Sequence, residues 1–165
     1  MLQVQQGPVT ATNESRQRTS VLRYILDTKA HHAVLSITQT APVLDTVDKL
    51  CEGHVGALLV MQDTHPIGIL SERDLLTRVL LKRLDPARTR VSEVMTRDVV
   101  AVSIDATPEE VMAIMTERRC RHLPVIENDS IVGIISIGDV VRWASRTQEF
   151  QIQSLEDYIC GKYPG

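Results

Sequence analysis

The chain has 165 residues, a formal net charge of −3 and an aromatic content of 3%. This length is enough to bury one good-sized core, and an acidic balance with few aromatic residues argues against a nucleic-acid partner. The longest apolar runs, such as Val55–Met61, are far shorter than the roughly 20 residues of a membrane-spanning helix. We therefore expect one domain without a membrane partner.

Residues 1–30 predict a leader followed by a short helix. Residues 1–20 are mostly polar and contain no apolar segment of signal-peptide length, which favours a disordered leader over a transit peptide. Residues 21–26 have the apolar spacing of a short amphipathic helix. The three cysteines are odd in number and form no Cys-x-x-Cys pair. This usage is typical of a reducing compartment, and we expect the protein in the cytoplasm.

Residues 31–88 predict a first β-α-β-β-α unit. Apolar periodicity and turn residues place a strand at 34–37, a helix at 43–52, strands at 55–61 and 67–70, and a helix from 72 to about 83. The segment 84–88 interrupts this pattern and predicts a linker.

Residues 89–147 predict the same order of elements a second time. The strands fall at 99–102, 123–126 and 131–135, and the helices at 108–119 and 137–146. The helix that begins at Pro108 is the best marked, because Thr107 and Glu110 have the spacing of a capping box. Residues 148–165 predict a separate short helix that folds back or crosses to a neighbouring molecule.

The two units are copies of each other. A shift of 65 positions places Gly68-Ile69-Leu70-Ser71-Glu72-Arg73-Asp74 on Gly133-Ile134-Ile135-Ser136-Ile137-Gly138-Asp139, so that Gly, Ser and Asp recur together. This pattern is typical of a duplicated supersecondary unit. We expect two half-units that pack face to face, with two related pockets. The apolar faces of the helices at 43–52 and 108–119 either pack on their own sheets or form part of a dimer seam.

In each copy a strand ends in serine, Ser71 or Ser136, and an aspartate follows three residues later, Asp74 or Asp139. Ser-x-x-Asp is a helix-capping pattern. However, a strand-to-helix turn preceded by glycine also directs backbone amides into a crevice that suits a phosphate or a ribose. The aspartate is then placed to accept both ribose hydroxyls, and the serine to donate to the sugar or phosphate. We assign the apolar surroundings of these sites to Leu35, Val55, Gly56, Ala57, Val100 and Cys120, with Ile69 and Ile134 beneath.

The segment Arg121-His122-Leu123-Pro124-Val125 and the repeated Gly-Ile-x-Ser-x-x-Asp window resemble the cystathionine-β-synthase (CBS) domain pair over about residues 33–146. The resemblance implies an α/β (α+β) fold of two tandem β-α-β-β-α repeats related by a pseudo-twofold axis. It also implies that the clefts between the repeats bind adenosine-containing ligands such as AMP, ATP, S-adenosylmethionine or NAD(H). Asp74 and Asp139 would hold ribose, and Ser71 and Ser136 would contact ribose or phosphate.

The two clefts cannot be chemically alike, because Gly56 stands where the second copy has Arg121. We assign Arg121 to a ligand phosphate, which a guanidinium can bind through two hydrogen bonds, although a surface ion pair explains it equally well. Arg73 is a second candidate for the phosphate.

The sequence contains no enzyme signature, so we predict a non-enzymatic, homodimeric module that senses an adenine nucleotide and signals to a separate partner protein. Two alternatives remain: an NAD(H)-binding redox-linked regulator, and an oligomerisation scaffold with empty clefts. Cys51-x-x-His54 and Cys120-x-His122 contain zinc-ligand residue types but lack a standard spacing. We interpret these cysteines as buried, the histidines as surface or cleft residues, and expect no metal.

Overall fold

The computed structural model describes residues 3–5, 20–29, 34–63 and 65–159. Its elements form two sheets with helices packed around them, as the predicted fold class requires. The strands are β1 (Gln3–Gln5), β2 (Ser36–Thr38), β3 (Ala57–Gln62), β4 (His65–Ser71), β5 (Val100–Ser103), β6 (His122–Glu127) and β7 (Ser130–Ser136). The helices are α1 (Val21–Asp27), α2 (Val43–Gly53), α3 (Glu72–Asp74), α4 (Val91–Val94), α5 (Pro108–Glu117) and α6 (Ile137–Ile159).

The two sheets repeat one topology. In the first, β2 is parallel to β3, and β3 is antiparallel to β4. In the second, β5 is parallel to β6 and β6 is antiparallel to β7, while β1 adds a fourth, parallel strand beside β5. Each hairpin has a register shift at the equivalent step, Val60/Met61 and Val125/Ile126. The duplication in the sequence is thus a duplication of backbone geometry.

Each repeat is completed by a helix that precedes the other repeat. The buried side chains of α1, among them Leu22 and Leu26, belong to the core of the second repeat. Those of α4 and of Met95 after it belong to the core of the first. A Cβ atom at Gly68 would lie 2.8 Å from Met95 Sδ, and one at Gly133 would lie 2.7 Å from a Leu26 methyl carbon. The repeated glycine is therefore the place where the exchanged helix packs against the sheet.

Several predictions about individual elements are confirmed. The capping box is present, since Glu110 N donates to Thr107 Oγ1 over 3.2 Å and Thr107 N donates to a Glu110 carboxylate oxygen over 2.8 Å. The apolar faces of α2 and α5 pack in the two cores, where Val43 and Val111 are fully buried. Most other strand and helix boundaries differ from the predicted ones by one to a few residues, as expected when element ends fray.

Two predictions about the elements, those for the leader and for the end of α6, are wrong, and two features, the π-helix and α4, were not predicted. Part of the leader is a strand, because β1 pairs through its backbone with β5 and needs no apolar alternation. The second helix of the first repeat continues beyond α3 as a π-helix over Leu75–Leu80. The helix α4 was not predicted, since its four residues are too few to show a helical period. The expected break after residue 147 does not occur, because no Gly or Pro stops α6 there.

None of the helices in the described ranges combines the length and the apolar composition needed to cross a membrane.

Candidate functional site

The two Ser-x-x-Asp windows cap their helices in the same way. Asp139 Oδ2 accepts hydrogen bonds from Ser136 N at 2.8 Å and from Ser136 Oγ at 2.7 Å. Asp74 Oδ2 accepts the equivalent bonds from Ser71 at 2.9 Å and 2.6 Å. Both aspartates are only 9% exposed. Capping thus occupies one oxygen of each carboxylate, and the cap leaves the second oxygen available for other donors.

A cavity of about 420 Å³ lies between the two repeats beside Asp139. Its volume is within the range of about 300–1,000 Å³ that is common for small-molecule sites. Seven of the residues that we assigned to nucleotide binding line it: Leu35, Val55, Gly56, Ala57, Ile134, Ser136 and Asp139. The first four come from the first repeat and the last three from the second. A ligand in this cavity would therefore touch both repeats.

Gly56 keeps the first-repeat wall of this cavity open. Its carbonyl oxygen accepts a hydrogen bond from Glu72 N at 3.1 Å, which ties the wall to the start of α3. A Cβ atom at Gly56 would lie 2.7 Å from His122 Nε2, so even a small side chain would displace the imidazole that lines the same cavity. This close approach accounts for glycine where the second repeat has Arg121.

The other seven assigned residues lie outside the lining of this cavity: Ile69, Ser71, Arg73, Asp74, Val100, Cys120 and Arg121. Apart from Arg73, each is the 65-position counterpart of a lining residue. The side chain of Arg73 donates to the carbonyl oxygen of Arg119 over 2.9 Å and so connects the two repeats. Arg121 is exposed, and its carbonyl oxygen accepts from Ile137 N at 3.0 Å. The assignment of these residues to a nucleotide stays a prediction.

The structure adds three cationic side chains to the cavity that sequence reasoning missed, Arg23, Lys29 and Arg142. Lys29 Nζ lies 2.7 Å from Asp139 Oδ2 and donates to the carbonyl oxygen of Ile134 over 2.5 Å. Arg142 Nη1 lies 3.7 Å from Asp139 Oδ1, and Arg23 pairs with Glu127. Arg23 and Lys29 lie before the first strand of the first repeat and outside the repeated Gly-Ile-x-Ser-x-x-Asp window. Only the packing of α1 on the second repeat brings them to this site.

The pKa values of Asp139 and His122, which both line the cavity, are shifted by their surroundings. Burial raises the pKa of Asp139, but hydrogen bonds from Lys29 and Ser136 outweigh it, so that the pKa lies below its ordinary value. Burial, assisted by the charge of Arg121, lowers the pKa of His122. At neutral pH the site thus presents an ionised carboxylate and a neutral imidazole. The carboxylate can accept hydrogen bonds from sugar hydroxyls, and the imidazole can both donate to and accept from a base.

The cysteines differ from the prediction and from each other. Cys51 is exposed, not buried, because it lies on the solvent side of α2. Cys120 is half-buried, and burial raises the pKa of its thiol. Across the segments that the structure describes, no group of three or more His, Cys, Asp or Glu side chains is placed to hold a metal ion.

Comparison with known proteins identifies the repeats. Residues 28–81 and 91–146 match the CBS domain. The mitochondrial CBS domain-containing protein CBSX3 of Arabidopsis thaliana is 34% identical over 128 residues, which cover 73% of this chain and 61% of that protein. The chain thus spans less than two thirds of this relative's length.

Two solved structures share the fold. The CBS-domain-containing protein ATU1752 from Agrobacterium tumefaciens has a TM-score of 0.70 at 35% identity, covering 76% of this chain and 99% of that one. The CBS domain protein PAE2072 from Pyrobaculum aerophilum, solved in complex with AMP, has a TM-score of 0.58 at 25% identity, covering 64% and 81% of the two chains.

Proposed function

Because this chain belongs to the CBS-domain family, we propose that it is a non-catalytic regulatory module that binds an adenosine-containing nucleotide between its repeats. The observation that carries this proposal is the cavity that places the capped carboxylate of Asp139 opposite apolar side chains of the first repeat. The AMP bound to PAE2072 supports the ligand class.

In the proposed complex the ribose hydroxyls bind the Asp139 carboxylate, which is ionised and largely shielded from water. The adenine base packs between Val55 and Ile134, two apolar residues on opposite walls. The phosphate lies toward Lys29 and Arg142, whose charges favour an anion.

Regulation would follow from the position of the ligand between the repeats. A nucleotide that contacts both walls stabilises one relative orientation of the repeats by its differential affinity for that orientation. We propose that a separate protein, most simply in the cytoplasm, recognises this orientation. The odd cysteine number supports a reducing compartment.

A dinucleotide such as NAD(H) is the second candidate ligand. A groove of about 680 Å³ between α1 and α6 shares Lys29, Asp139 and Arg142 with the cavity. It is also lined by aromatic side chains, among them Trp143 and Phe150, on which a nicotinamide ring can stack. This continuity would allow the adenosine half to occupy the cavity and the other half to occupy the groove.

Calorimetry with AMP, ATP and NADH tests both candidates. We expect AMP to bind, to raise the melting temperature, and to be recovered unchanged by chromatography after prolonged incubation. If NADH competes with AMP and binds more tightly, the dinucleotide is favoured. If AMP, ATP, NADH and S-adenosylmethionine all leave the melting temperature unchanged, the module is a scaffold and the proposal is wrong.

We also propose that the module is a homodimer. Large apolar side chains remain exposed on the π-helix and on α6, including Leu76 at 57%, Leu80 at 60% and Val141 at 53%. Leu76 and Val141 are counterparts in the two repeats. An apolar surface of this kind on both repeats is typical of a protein–protein contact.

A further inference from the structure

The ammonium group of Lys29 lies on the carboxylate that the proposed function assigns to ribose. Its Nζ atom is 2.7 Å from Asp139 Oδ2, and a second bond of 2.5 Å to the carbonyl oxygen of Ile134 holds it in place. The side chains of Lys29 and Asp139 are 22% and 9% exposed, so the ion pair is largely shielded from solvent. Lys29 also lines both the cavity and the neighbouring groove.

This contact competes with ribose for the acceptor positions of the same carboxylate. Asp139 Oδ2 already accepts two hydrogen bonds from Ser136 in addition to the one from Lys29. A carboxylate offers about four acceptor positions on its two oxygens, so a ribose that binds through both of its hydroxyls must weaken or displace the lysine contact. A shielded ammonium that loses its partner pays a desolvation cost unless another anion replaces the carboxylate.

We infer that Lys29 is a latch that closes the ligand-free site on Asp139 and moves to the phosphate of the incoming nucleotide. This inference rests on the proposed function. A phosphorylated ligand supplies the anion that the displaced lysine needs, whereas adenosine leaves the lysine unpaired. Lys29 therefore makes the site selective for adenosine phosphates over adenosine.

The latch belongs to only one of the two equivalent positions. In the first repeat, Asp74 pairs with Arg78 of its own helix, at 3.3 Å. Ile69, the counterpart of Ile134, exchanges two backbone hydrogen bonds of 2.9 Å with Thr96. The chain segment after α4 thus binds its strand through backbone hydrogen bonds to Ile69, whereas the segment after α1 binds the equivalent strand through a hydrogen bond from the Lys29 side chain to Ile134.

The variant Lys29→Met tests the latch. We expect adenosine to bind more tightly to it than to the wild type, and the preference for AMP over adenosine to fall by on the order of tenfold, which corresponds to the loss of one charge-assisted contact. The Asp139 pKa, followed by NMR without ligand, should rise because a hydrogen bond that lowers it is lost. Lys29→Arg should retain the preference for AMP.

Lys49→Met is the matched control, because Lys49 Nζ also donates to a backbone carbonyl, that of Ser36 at 2.8 Å, but does not line the cavity. It should leave both affinities unchanged. If wild type binds AMP and adenosine and Lys29→Met keeps their ratio, the latch alone is overturned. If wild type binds neither ligand, the latch falls together with the proposed function.

A second, independent observation concerns a stripe along α6, defined as Val141, Ala144, Gln148, Ile152 and Leu155, in which every residue except the half-buried Ala144 is exposed. The spacings of four and three residues keep these positions on one face of the helix. Val141, Ile152 and Leu155 are 53%, 58% and 62% exposed. The spacing of the stripe is symmetric about Gln148. Ala144 and Ile152 lie four residues from it on either side, and Val141 and Leu155 lie seven residues from it.

A face with this symmetry is complementary to itself when two copies run antiparallel. Val141 of one helix then meets Leu155 of the other, Ala144 meets Ile152, and Gln148 meets Gln148. The charges agree with this direction, because Arg142 and the exposed Glu156 lie on the same flank of the stripe and approach each other only in the antiparallel pair. In a parallel pair Arg142 of one helix lies 14 residues along the axis from Glu156 of the other, so these opposite charges cannot meet. We propose that α6 of a second copy of this chain packs antiparallel on the stripe, centred on Gln148.

Disulfide cross-linking of single-cysteine variants tests this arrangement, in a background in which Cys51, Cys120 and Cys160 are replaced by serine. A mixture of Val141→Cys and Leu155→Cys proteins should give linked dimers, whereas each protein alone should give few. Replacing Leu155→Cys by Gln153→Cys, which lies on the opposite side of the helix, should abolish the link. Linkage within the Val141→Cys protein alone would show that the helices run parallel. A monomer in analytical sedimentation would show that the stripe does not bind a second copy. Either result overturns the proposal.

Discussion

The variant Asp139→Asn should bind AMP on the order of 100-fold more weakly than the wild type, since two hydrogen bonds to a charged group contribute about 1.5–3 kcal/mol each and asparagine retains part of them. The carboxylate is ionised, 9% exposed and placed on the wall of the cavity between the repeats. Asparagine keeps the shape and removes the charge. Calorimetry at fixed ionic strength measures the difference.

Asp74→Asn separates ligand binding from helix capping. Asp74 has the same cap and the same exposure as Asp139 but does not line the cavity. Asp74→Asn should lose about 1 kcal/mol of stability, as for other helix caps, and Asp139→Asn should lose more, because the shielded Lys29 then also loses its charged partner. Only Asp139→Asn should lose the nucleotide from this cavity. Equal affinities for AMP in the two variants would show that the cavity is not the nucleotide site.

Leu123→Ala should lower the free energy of unfolding by about 2–5 kcal/mol, the usual cost of truncating a fully buried leucine. Leu123 is 1% exposed and lies in the core of the second repeat. The free energy of unfolding of such domains is only about 5–15 kcal/mol, so this loss is a large share of the total stability. Its counterpart Leu58, which is fully buried in the first core, should give a loss of the same size on truncation.

The exchange of α1 and α4 between the repeats predicts a single unfolding transition for both variants. Each core contains a helix that precedes the other repeat, so neither repeat is complete when the other unfolds. Denaturant titration followed by circular dichroism measures the midpoint and the number of steps. Leu44→Ala, at a residue that is 44% exposed, is the control and should change the stability little. Two resolved steps in Leu123→Ala would contradict the coupling of the repeats.

The repeat architecture could be predicted from the sequence because its signals are local. The Gly-Ile-x-Ser-x-x-Asp window recurs at one fixed shift, and the two strands of each hairpin, β3 and β4 or β6 and β7, have the same bounds after that shift. The capping box at Thr107 and the cavity residues Ser136 and Asp139 were predicted in the same way, from residue types at short spacing. Such spacing determines backbone geometry directly, because its hydrogen bonds join residues that are close along the chain.

The residues that surround the site were decided by tertiary packing. Lys29 meets Asp139 only because α1 packs on the repeat that follows later in the chain, and the glycine at 133 makes room for Leu26 in that contact. The sequence around Lys29 gives no indication that its ion-pair partner, Asp139, lies 110 positions further along the chain. The same reason applies to β1, whose pairing with β5 depends on backbone groups that every residue has. Composition and short-range pattern thus determined the repeats, whereas long-range packing determined which charges meet in the cavity between them.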